Sequence, residues 1–316
     1  MKDNSLDNFL YRDFSSWLKE QFPGRKVQKI SINAGFSCPN RDGSKGWGGC
    51  TYCNNQTFNP EYCHTEKSVS LQLEEGKSFF ARKYPSMEYL AYCQAYTNTY
   101  SPDPVLHRLY EEALSVDGVV GLVIGTRPDC VTDELLDYLA GLQQKGTFVL
   151  LEYGIESVYE DVLLRINRGH TFADTRQAVH ATAERGIPVG GHLILGLPGE
   201  TRMRILEEAR VLSELPLTTL KLHQLQLIKG TRMAREYMED STCLHRYTVE
   251  EYLDLLVDFI EHLRPDMVLE RFVSQSPPEL LALPGWGMKN FEFTARLRQI
   301  MQERQTYQGR KYTRAR

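Results

Sequence analysis

Three cysteines stand close together near the amino terminus, at Cys38, Cys50 and Cys53. Two residues separate the second from the third, so both thiolates can reach one inorganic centre. Four glycines between the first two cysteines let the longer connection fold around that centre. The spacing predicts a metal site, and seven cysteines in the whole chain are too few for a disulfide framework.

Two kinds of inorganic centre fit this spacing. A zinc ion would take a fourth ligand from Cys63 or His64. A [4Fe–4S] cluster would use the three cysteines alone, and its fourth iron would stay free to bind the amino and carboxylate groups of S-adenosylmethionine (SAM). We interpret Cys93, Cys130 and Cys243 as small core residues, because buried free cysteine is common.

The elements that must position this loop are alternating strands and helices. Apolar runs predict six strands, at Val27–Ile32, Met87–Tyr92, Val119–Ile124, Thr147–Tyr153, Val189–Leu195 and Leu220–Leu227. Helical spacing of apolar residues predicts helices between them, at Pro104–Ser115, Thr132–Gln144, Ala173–Arg185 and Glu200–Ser213. The pattern indicates an α/β fold, a partial (β/α)6 TIM-like barrel with its active site at the carboxyl ends of the strands.

Three segments follow from this pattern. Residues 1–26 form an amphipathic amino-terminal segment, 27–230 the barrel core, and 231–316 a C-terminal helical extension with a basic tail. Within the extension, Thr248 and Glu251 form a capping box that predicts a helix over Thr248–Leu263. His192 and His223 lie inside strand patterns, where we expect histidines of the core.

Composition sets the broad class of protein. The chain has 316 residues, 41% of them hydrophobic, and a formal net charge of −4, which is typical of a globular protein. We find no apolar stretch of membrane-spanning length and no signal peptide, so we expect a cytoplasmic protein without a membrane partner. The tail from Arg304 to Arg316 has five basic residues and no acid, so it is a candidate phosphate contact or simply a solvated terminus.

Longer motifs carry a resemblance to a known family. The pattern C-x11-C-x-Y-C from Cys38 to Cys53 resembles that of the YhcC/YtqA (MnmL) family of radical SAM proteins. Thr126–Asp129 resembles the T-R-P-D element of the Elongator catalytic subunit, and the segment from Gly154 to Thr171 resembles its G-V-Q-S and N-R-G-H-T elements. The resemblance covers almost the whole chain, and it implies the radical SAM type of partial barrel.

The resemblance also implies site residues. Cys38, Cys50 and Cys53 would hold one [4Fe–4S] cluster. The candidates for binding SAM are Tyr52, Gln94, Thr97, Asn98, Glu152, Glu156 and Gly196. Of these, Gln94, Thr97 and Asn98 stand where relatives often have Gly-Gly-Glu. The candidates for catalysis, at the barrel mouth, are Arg127, Arg168 and His170, with an arginine pairing to an anionic substrate group.

The function that the resemblance implies is tRNA modification. A radical formed from SAM would act on the C5 substituent of wobble uridine and convert carboxymethylaminomethyl-uridine to aminomethyl-uridine. The partners would be tRNA and an electron donor such as flavodoxin or ferredoxin, with RNA contacts from Tyr307, Arg310, Lys311, Tyr312, Arg314 and Arg316. Two alternatives stay open: a radical SAM enzyme acting on a peptide or small metabolite, and a zinc-bound RNA-binding or adaptor protein.

Overall fold

Seven parallel strands form a single sheet whose spatial order follows the chain from β1 to β7. The computed structural model describes residues 10–54, 60, 62–81 and 86–314. The strands are β1 (Val27–Ile32), β2 (Glu88–Cys93), β3 (Val119–Thr126), β4 (Phe148–Glu156), β5 (Val189–Leu195), β6 (Thr219–Gln224) and β7 (Val268–Arg271). Because every pair is parallel, all carboxyl ends lie at one edge of the sheet.

Helices between the strands cover the outer face of the sheet, and one further helix stands before the first strand and one after the last. They are α1 (Phe14–Gln21), α2 (Val69–Ala81), α3 (Asp103–Leu114), α4 (Asp133–Gln144), α5 (Glu160–Arg165), α6 (Phe172–Glu184), α7 (Arg202–Ser213), α8 (Arg232–Glu239), α9 (Val249–His262) and α10 (Asn290–Glu303). The capping box predicted for α9 is present, with Thr248 and Glu251 bonding reciprocally. In the described part of the chain, no helix combines the length and apolar character that a bilayer crossing requires.

The sheet curls into a half-barrel. β1 and β7 are its two edge strands, yet Lys29 of β1 donates hydrogen bonds to Glu270 of β7 at 2.9 Å. Helix α1 fills the bottom of the curl, where Trp17 and Phe22 pack against inward-facing residues such as Leu150. The interior is therefore closed at the amino ends of the strands and leaves space at the carboxyl ends.

The predicted fold class is confirmed, with one more strand than the six expected. The seventh, β7, has only four residues, two of them charged, so it shows no apolar run that would predict a strand. Glu270 faces inward to meet Lys29 and Lys221 rather than solvent. The sheet thus continues without a break from the predicted core into the predicted extension, although the segment boundaries themselves stay predictions.

The basic tail packs against the body of the protein at the end opposite the space in the barrel. Gln308 donates to the carbonyls of Arg264 and Met267, just before β7 begins. Lys311 pairs with Glu261 of α9, and the Lys311 amide donates to the carbonyl of the same residue. The tail therefore joins the last helix to the amino-terminal edge of the sheet. Arg316, one of the proposed RNA contacts, lies outside the described residues.

Candidate active site

A cavity opens at the carboxyl ends of the strands. All three motif cysteines line it, together with side chains from the barrel interior and the loops above it. The space among these side chains, counted together with the open solvent at the mouth, is about 1210 Å³. The described lining residues include Cys38, Arg41, Cys50, Tyr52, Cys53, Tyr92, Gln94, Tyr96, Thr97, Arg127, Glu152, Glu156, Arg168, His192, Ile194, His223, Gln224, Gln226, Ser274 and Ser276.

The cysteine loop is fastened to the segment that follows α5. The amide of Thr51 donates to the carbonyl of Ile166 at 2.9 Å, and the side chain of Asn167 donates to the carbonyl of Gly49 at 2.9 Å. Asn40 in turn donates to the carbonyl of Asn167. Asn167 adopts a positive φ of 54°, a conformation that asparagine tolerates better than most residues. The N-R-G-H-T motif thus begins with a residue that shapes the cysteine loop.

Arg168 lies against the cysteines. Its Nη1 is 3.5 Å from the sulfur of Cys50, its Nη2 donates to the carbonyl of Gly154 at 2.7 Å, and its Nε donates to Nε2 of His170 at 2.8 Å. A Cβ at Gly154 would stand 2.6 Å from Nη2 of Arg168. Glycine at this position is what lets the guanidinium reach both the strand and the thiol.

Arg127 supports Arg168 from behind. It donates to the carbonyl of Arg168 at 2.8 Å and holds Asp129 through two hydrogen bonds of 2.9 Å. Burial alone would raise the pKa of Asp129, but the hydrogen bonds and charge of Arg127 hold that pKa well below its usual value. Arg127 is only 2% exposed, and its charge is therefore already paired inside the protein.

His170 completes this group as a neutral residue. Burial, and then the positive charge of Arg168, lower the pKa of His170 to about 3, so its Nε2 accepts a hydrogen bond from Arg168. The three residues predicted to be catalytic therefore form one connected group, which is joined to the cysteine loop through Arg168. Their proposed pairing with a substrate anion stays a prediction, and their contacts favour a role in positioning the cysteines.

The donor set fits an iron–sulfur cluster. Three thiols line the same cavity, and Arg168 beside Cys50 supplies the positive charge that cluster-bound thiolates favour. Burial and the neighbouring Cys50 raise the pKa of Cys53 to about 11 in the free thiol. Within the described ranges, no group of three or more His, Cys, Asp or Glu is gathered closely enough for a single metal ion.

Cys63 is directed elsewhere. Its buried thiol donates to the carbonyl of Ser31 at 2.9 Å, and it is not part of the cavity wall. His64, which follows it, is exposed. Neither of the two residues considered as a fourth zinc ligand therefore lies with the three cysteines on the cavity wall.

The residues predicted to bind SAM divide into three groups. Tyr52, Gln94, Thr97 and Glu156 line the cavity with the cysteines. The hydroxyl of Thr97 is buried and has no hydrogen-bond partner among the described residues. These four positions are well placed for the predicted role, which stays a prediction.

Asn98 and Gly196 do not line the cavity. Asn98 is fully buried and ties the loop after β2 to the sheet by donating to the carbonyls of Cys93 and Gly125, at 3.0 and 2.7 Å. Gly196 has a φ of 92° and faces Tyr247, whose ring would lie 3.2 Å from an added Cβ. These positions favour structural roles, because Asn98 braces a loop and Gly196 permits the turn after β5.

Glu152 sits deeper, among cations in the middle of the barrel. Its carboxylate accepts from Lys29 at 2.8 Å, from Lys221 at 3.0 Å and from His192 at 2.8 Å. Burial alone would raise the pKa of Glu152, but Lys221 and Lys29 hold that pKa well below its ordinary value. The predicted bond from this carboxylate to SAM would therefore compete with three partners in the protein.

One wall of the cavity contains residues that the sequence does not predict to lie in the site. The segment after β7 hydrogen-bonds to the end of β6, where Ser274 meets His223 at 2.5 Å and Ser276 meets Gln226 at 2.7 Å. His192 and His223 line the cavity, which corrects the expectation that they are core histidines. The register of β5 against β4 pairs His192 with Gly154, so its side chain lies on the face of the sheet that lines the cavity.

Comparison with known proteins decides the family. Residues 38–212 match the model of the radical SAM superfamily, and residues 217–303 match that of the radical SAM C-terminal domain. The chain belongs to the radical SAM superfamily. The uncharacterized protein YtqA of Bacillus subtilis is 35% identical over 304 residues, covering 96% of this chain and 93% of that protein.

Two further likenesses are more distant in sequence. The tRNA uridine(34) acetyltransferase of Methanocaldococcus infernus is 24% identical over 174 residues, covering 54% of this chain and 31% of that protein. The structure of Elp3 from M. infernus superposes with a TM-score of 0.67 at 16% identity, covering 90% of this chain and 64% of that one. The latter likeness shows the fold alone. The predicted resemblance to the YhcC/YtqA family is confirmed.

Membership identifies the cofactors. Radical SAM proteins use a [4Fe–4S] cluster together with SAM, and the three cysteines on the cavity wall are the residues that would hold the cluster here. The family assignment therefore favours iron–sulfur chemistry over the zinc alternative raised by the spacing of Cys50 and Cys53.

Proposed function

We propose that this radical SAM enzyme modifies the C5 substituent of wobble uridine in tRNA, converting carboxymethylaminomethyl-uridine to aminomethyl-uridine. The observation that carries the proposal is the cavity itself, in which three thiols face a wall of polar side chains at the open mouth of the barrel. The similarity to a tRNA uridine(34) acetyltransferase supports an RNA substrate. A cavity that opens to solvent suits a base presented by an anticodon loop.

The protein residues have separate tasks in this proposal. Cys38, Cys50 and Cys53 hold the cluster, and Arg168 keeps the cysteine loop in place through Cys50. Thr97 offers an unused buried hydroxyl to the bound SAM. When bound and reduced, the cluster and SAM supply abstraction of a hydrogen atom from a substrate carbon.

The bond to be attacked is the methylene C–H between the amine and the carboxylate of the uridine side group. A radical at that carbon is stabilised from both sides, so this C–H bond is weaker than its neighbours. The substrate radical then gives up one electron to the electron carrier, and addition of water to the resulting imine releases the two-carbon fragment as glyoxylate and leaves aminomethyl-uridine. The mouth of the cavity is open to solvent, so water reaches this carbon. Radical SAM enzymes need a reductant, and we propose that an electron donor such as flavodoxin or ferredoxin supplies the electron here.

RNA contacts are more plausible at the cavity mouth than on the tail. Tyr307, Arg310, Lys311 and Tyr312 belong to the segment that packs near the amino ends of the strands, away from the cavity. Trp47, in contrast, lies on the cysteine loop and is 76% exposed. An exposed ring beside the site is a suitable stacking surface for an unpaired base. We therefore propose Trp47 as an RNA contact.

The direct test uses anaerobically reconstituted enzyme, a reductant and SAM with tRNA that carries carboxymethylaminomethyl-uridine deuterated at the side-group methylene. The proposal predicts aminomethyl-uridine in the digested tRNA and deuterium in the 5′-deoxyadenosine that is released. If 5′-deoxyadenosine forms without any change in the tRNA, the alternative of a peptide or small-metabolite substrate takes its place. Unlabelled 5′-deoxyadenosine accompanying the correct product would contradict the proposed site of abstraction.

A further inference from the structure

His192 presents an unused nitrogen to the cavity. It projects from β5 into the barrel, where it lines the cavity. Its Nε2 is 2.8 Å from Oε2 of Glu152, whereas the described residues provide no hydrogen-bond partner for Nδ1. Nε2 is thus bonded within the protein, and Nδ1 is left for a ligand.

The charge of Glu152 determines which nitrogen carries the proton. Lys29 and Lys221 both bond this carboxylate, which is only 1% exposed, so it is ionised and can only accept. Nε2 of His192 must then be the protonated nitrogen of the neutral ring. Nδ1 consequently carries a lone pair, in the way that a buried carboxylate fixes the tautomer of a catalytic or metal-binding histidine.

The surrounding charges keep His192 neutral. Titratable side chains from five strands surround His192 in the barrel interior. They are Lys29 (β1), Tyr92 (β2), Glu152 and Glu156 (β4), Lys221 and His223 (β6), and Glu270 (β7). Burial, and then Lys221, lower the pKa of His192, and these effects exceed the opposing influence of Glu152. The floor of the cavity therefore offers a neutral hydrogen-bond acceptor.

We propose that Nδ1 of His192 accepts a hydrogen bond from the amine N–H of the substrate side group. This inference rests on the proposed function, because it assigns a partner to the amine nitrogen of carboxymethylaminomethyl-uridine. An acceptor suits the chemistry. The protonated amine has two N–H donors and the neutral amine has one, so an acceptor can bind the nitrogen in either state. In the neutral amine, a hydrogen bond from the N–H leaves the lone pair free to stabilise a radical on the adjacent carbon.

The test measures binding of two anticodon stem-loop RNAs to reconstituted enzyme with SAM and no reductant. One RNA carries the amine, and the other has an ether oxygen in place of the N–H. The wild-type protein is expected to bind the amine about three- to tenfold more tightly, the value of one hydrogen bond. His192→Leu should bind both RNAs equally, whereas His192→Gln, which retains an acceptor, should keep part of the preference.

Controls separate this role from a structural one. His180→Leu replaces an exposed histidine of α6 and should keep the full preference. Each variant is compared only at wild-type iron content, and His192→Met replaces the Leu variant if the latter loses iron. SAM affinity, measured in parallel, should be unchanged by the loss of Nδ1.

Three results would overturn the inference. A full amine preference in His192→Leu or His192→Met would show that another group recognises the N–H. A fall in SAM affinity with the preference intact would assign Nδ1 to a hydroxyl or the amino group of SAM. If the wild-type protein binds neither RNA and leaves the amine-bearing tRNA unmodified, the proposed function itself fails, and the inference fails with it.

Discussion

The guanidinium of Arg168 stands 3.5 Å from the sulfur of Cys50, although 118 positions separate the two residues in the chain. Arg168 simultaneously binds the carbonyl of Gly154 and the ring of His170. One buried cation therefore connects the cysteine loop, the end of β4 and the segment after α5. This arrangement explains how a loop rich in glycine can hold three thiols on one wall of a cavity.

Replacement of Arg168 should loosen the site. Arg168→Met removes a buried charge and leaves the carbonyl of Gly154 without its partner, so we expect a loss of about 3 kcal/mol of stability and a clear fall in retained iron. Iron content and thermal unfolding after anaerobic reconstitution measure both effects. Arg165→Met, at an exposed position three residues earlier, is the matched control. Equal iron in both variants would mean that Arg168 does not position the cysteine loop.

Gly154 should tolerate no side chain. In Gly154→Ala the new Cβ would meet Nη2 of Arg168 at 2.6 Å and Oε1 of Glu156 at 2.7 Å, so the guanidinium must move away from Cys50. We expect reduced iron retention, checked by metal analysis and the absorbance of the cluster. Gly141→Ala, in α4, has open space around the added methyl and should be as stable as the wild type or more so. A Gly154→Ala protein with full iron content would contradict this packing argument.

Lys221 should be essential to the barrel interior. Lys221→Met breaks a buried ion pair with Glu152 and also removes a contact with Glu270. Loss of one partner from such a network costs about 3–5 kcal/mol, since it leaves buried negative charge uncompensated. A matched control is Lys229→Met at an exposed position. Thermal unfolding midpoints that fall equally in the two variants would show that the network does not stabilise the fold.

Two buried carboxyl groups should make stability depend on pH. Glu200 and Glu208 both accept from the hydroxyl of Ser157, at 3.0 and 2.7 Å. Burial raises the pKa of Glu200 to about 7, and burial together with Glu200 raises the pKa of Glu208 well above its usual value. The folded state thus binds protons more tightly than the unfolded state, so this pair's contribution to stability falls as pH rises from about 4.5 through 7.

The variant Glu200→Gln tests this dependence. It removes one of the two charges and keeps the shape, so thermal stability should decline less between pH 5 and pH 8 than in the wild type. The expected difference in slope approaches 1.4 kcal/mol per pH unit, the value for one titrating group, at its steepest. Glu207→Gln, at an exposed position on α7, should leave the wild-type slope unchanged. If the thermal stability of Glu200→Gln depended on pH as steeply as that of the wild type, this explanation would be contradicted.

The fold was predictable because its signals are local. Alternating strand and helix patterns predict the barrel, and β5 begins and ends where its apolar run does. The spacing of the cysteines alone predicts a metal site. The residues that hold the cysteine loop could not be predicted in this way, because Arg168 and Asn167 reach the loop only after the chain has completed three more strands. Contacts of that kind have no signature in composition or periodicity.

Other features depended on tertiary structure in the same way. β7 is short and carries Glu270, whose burial is explained only by Lys29 and Lys221 on other strands. The tail was predicted to be either a phosphate contact or a solvated terminus, yet Gln308 and Lys311 bind carbonyls and acids of the body. In both cases the partner of the polar or charged side chain lies far away in the chain. The sequence of the segment by itself therefore suggests that these side chains are exposed to solvent, although they are paired in the fold.

The most direct test of the account compares iron content and SAM cleavage in anaerobically reconstituted wild-type, Cys50→Ala and Cys63→Ala proteins. We predict about four irons per chain and reductant-dependent release of 5′-deoxyadenosine in the wild type and in Cys63→Ala, and loss of both in Cys50→Ala. Stoichiometric zinc without SAM cleavage, or equal loss of metal in Cys63→Ala, would contradict a three-cysteine iron–sulfur site.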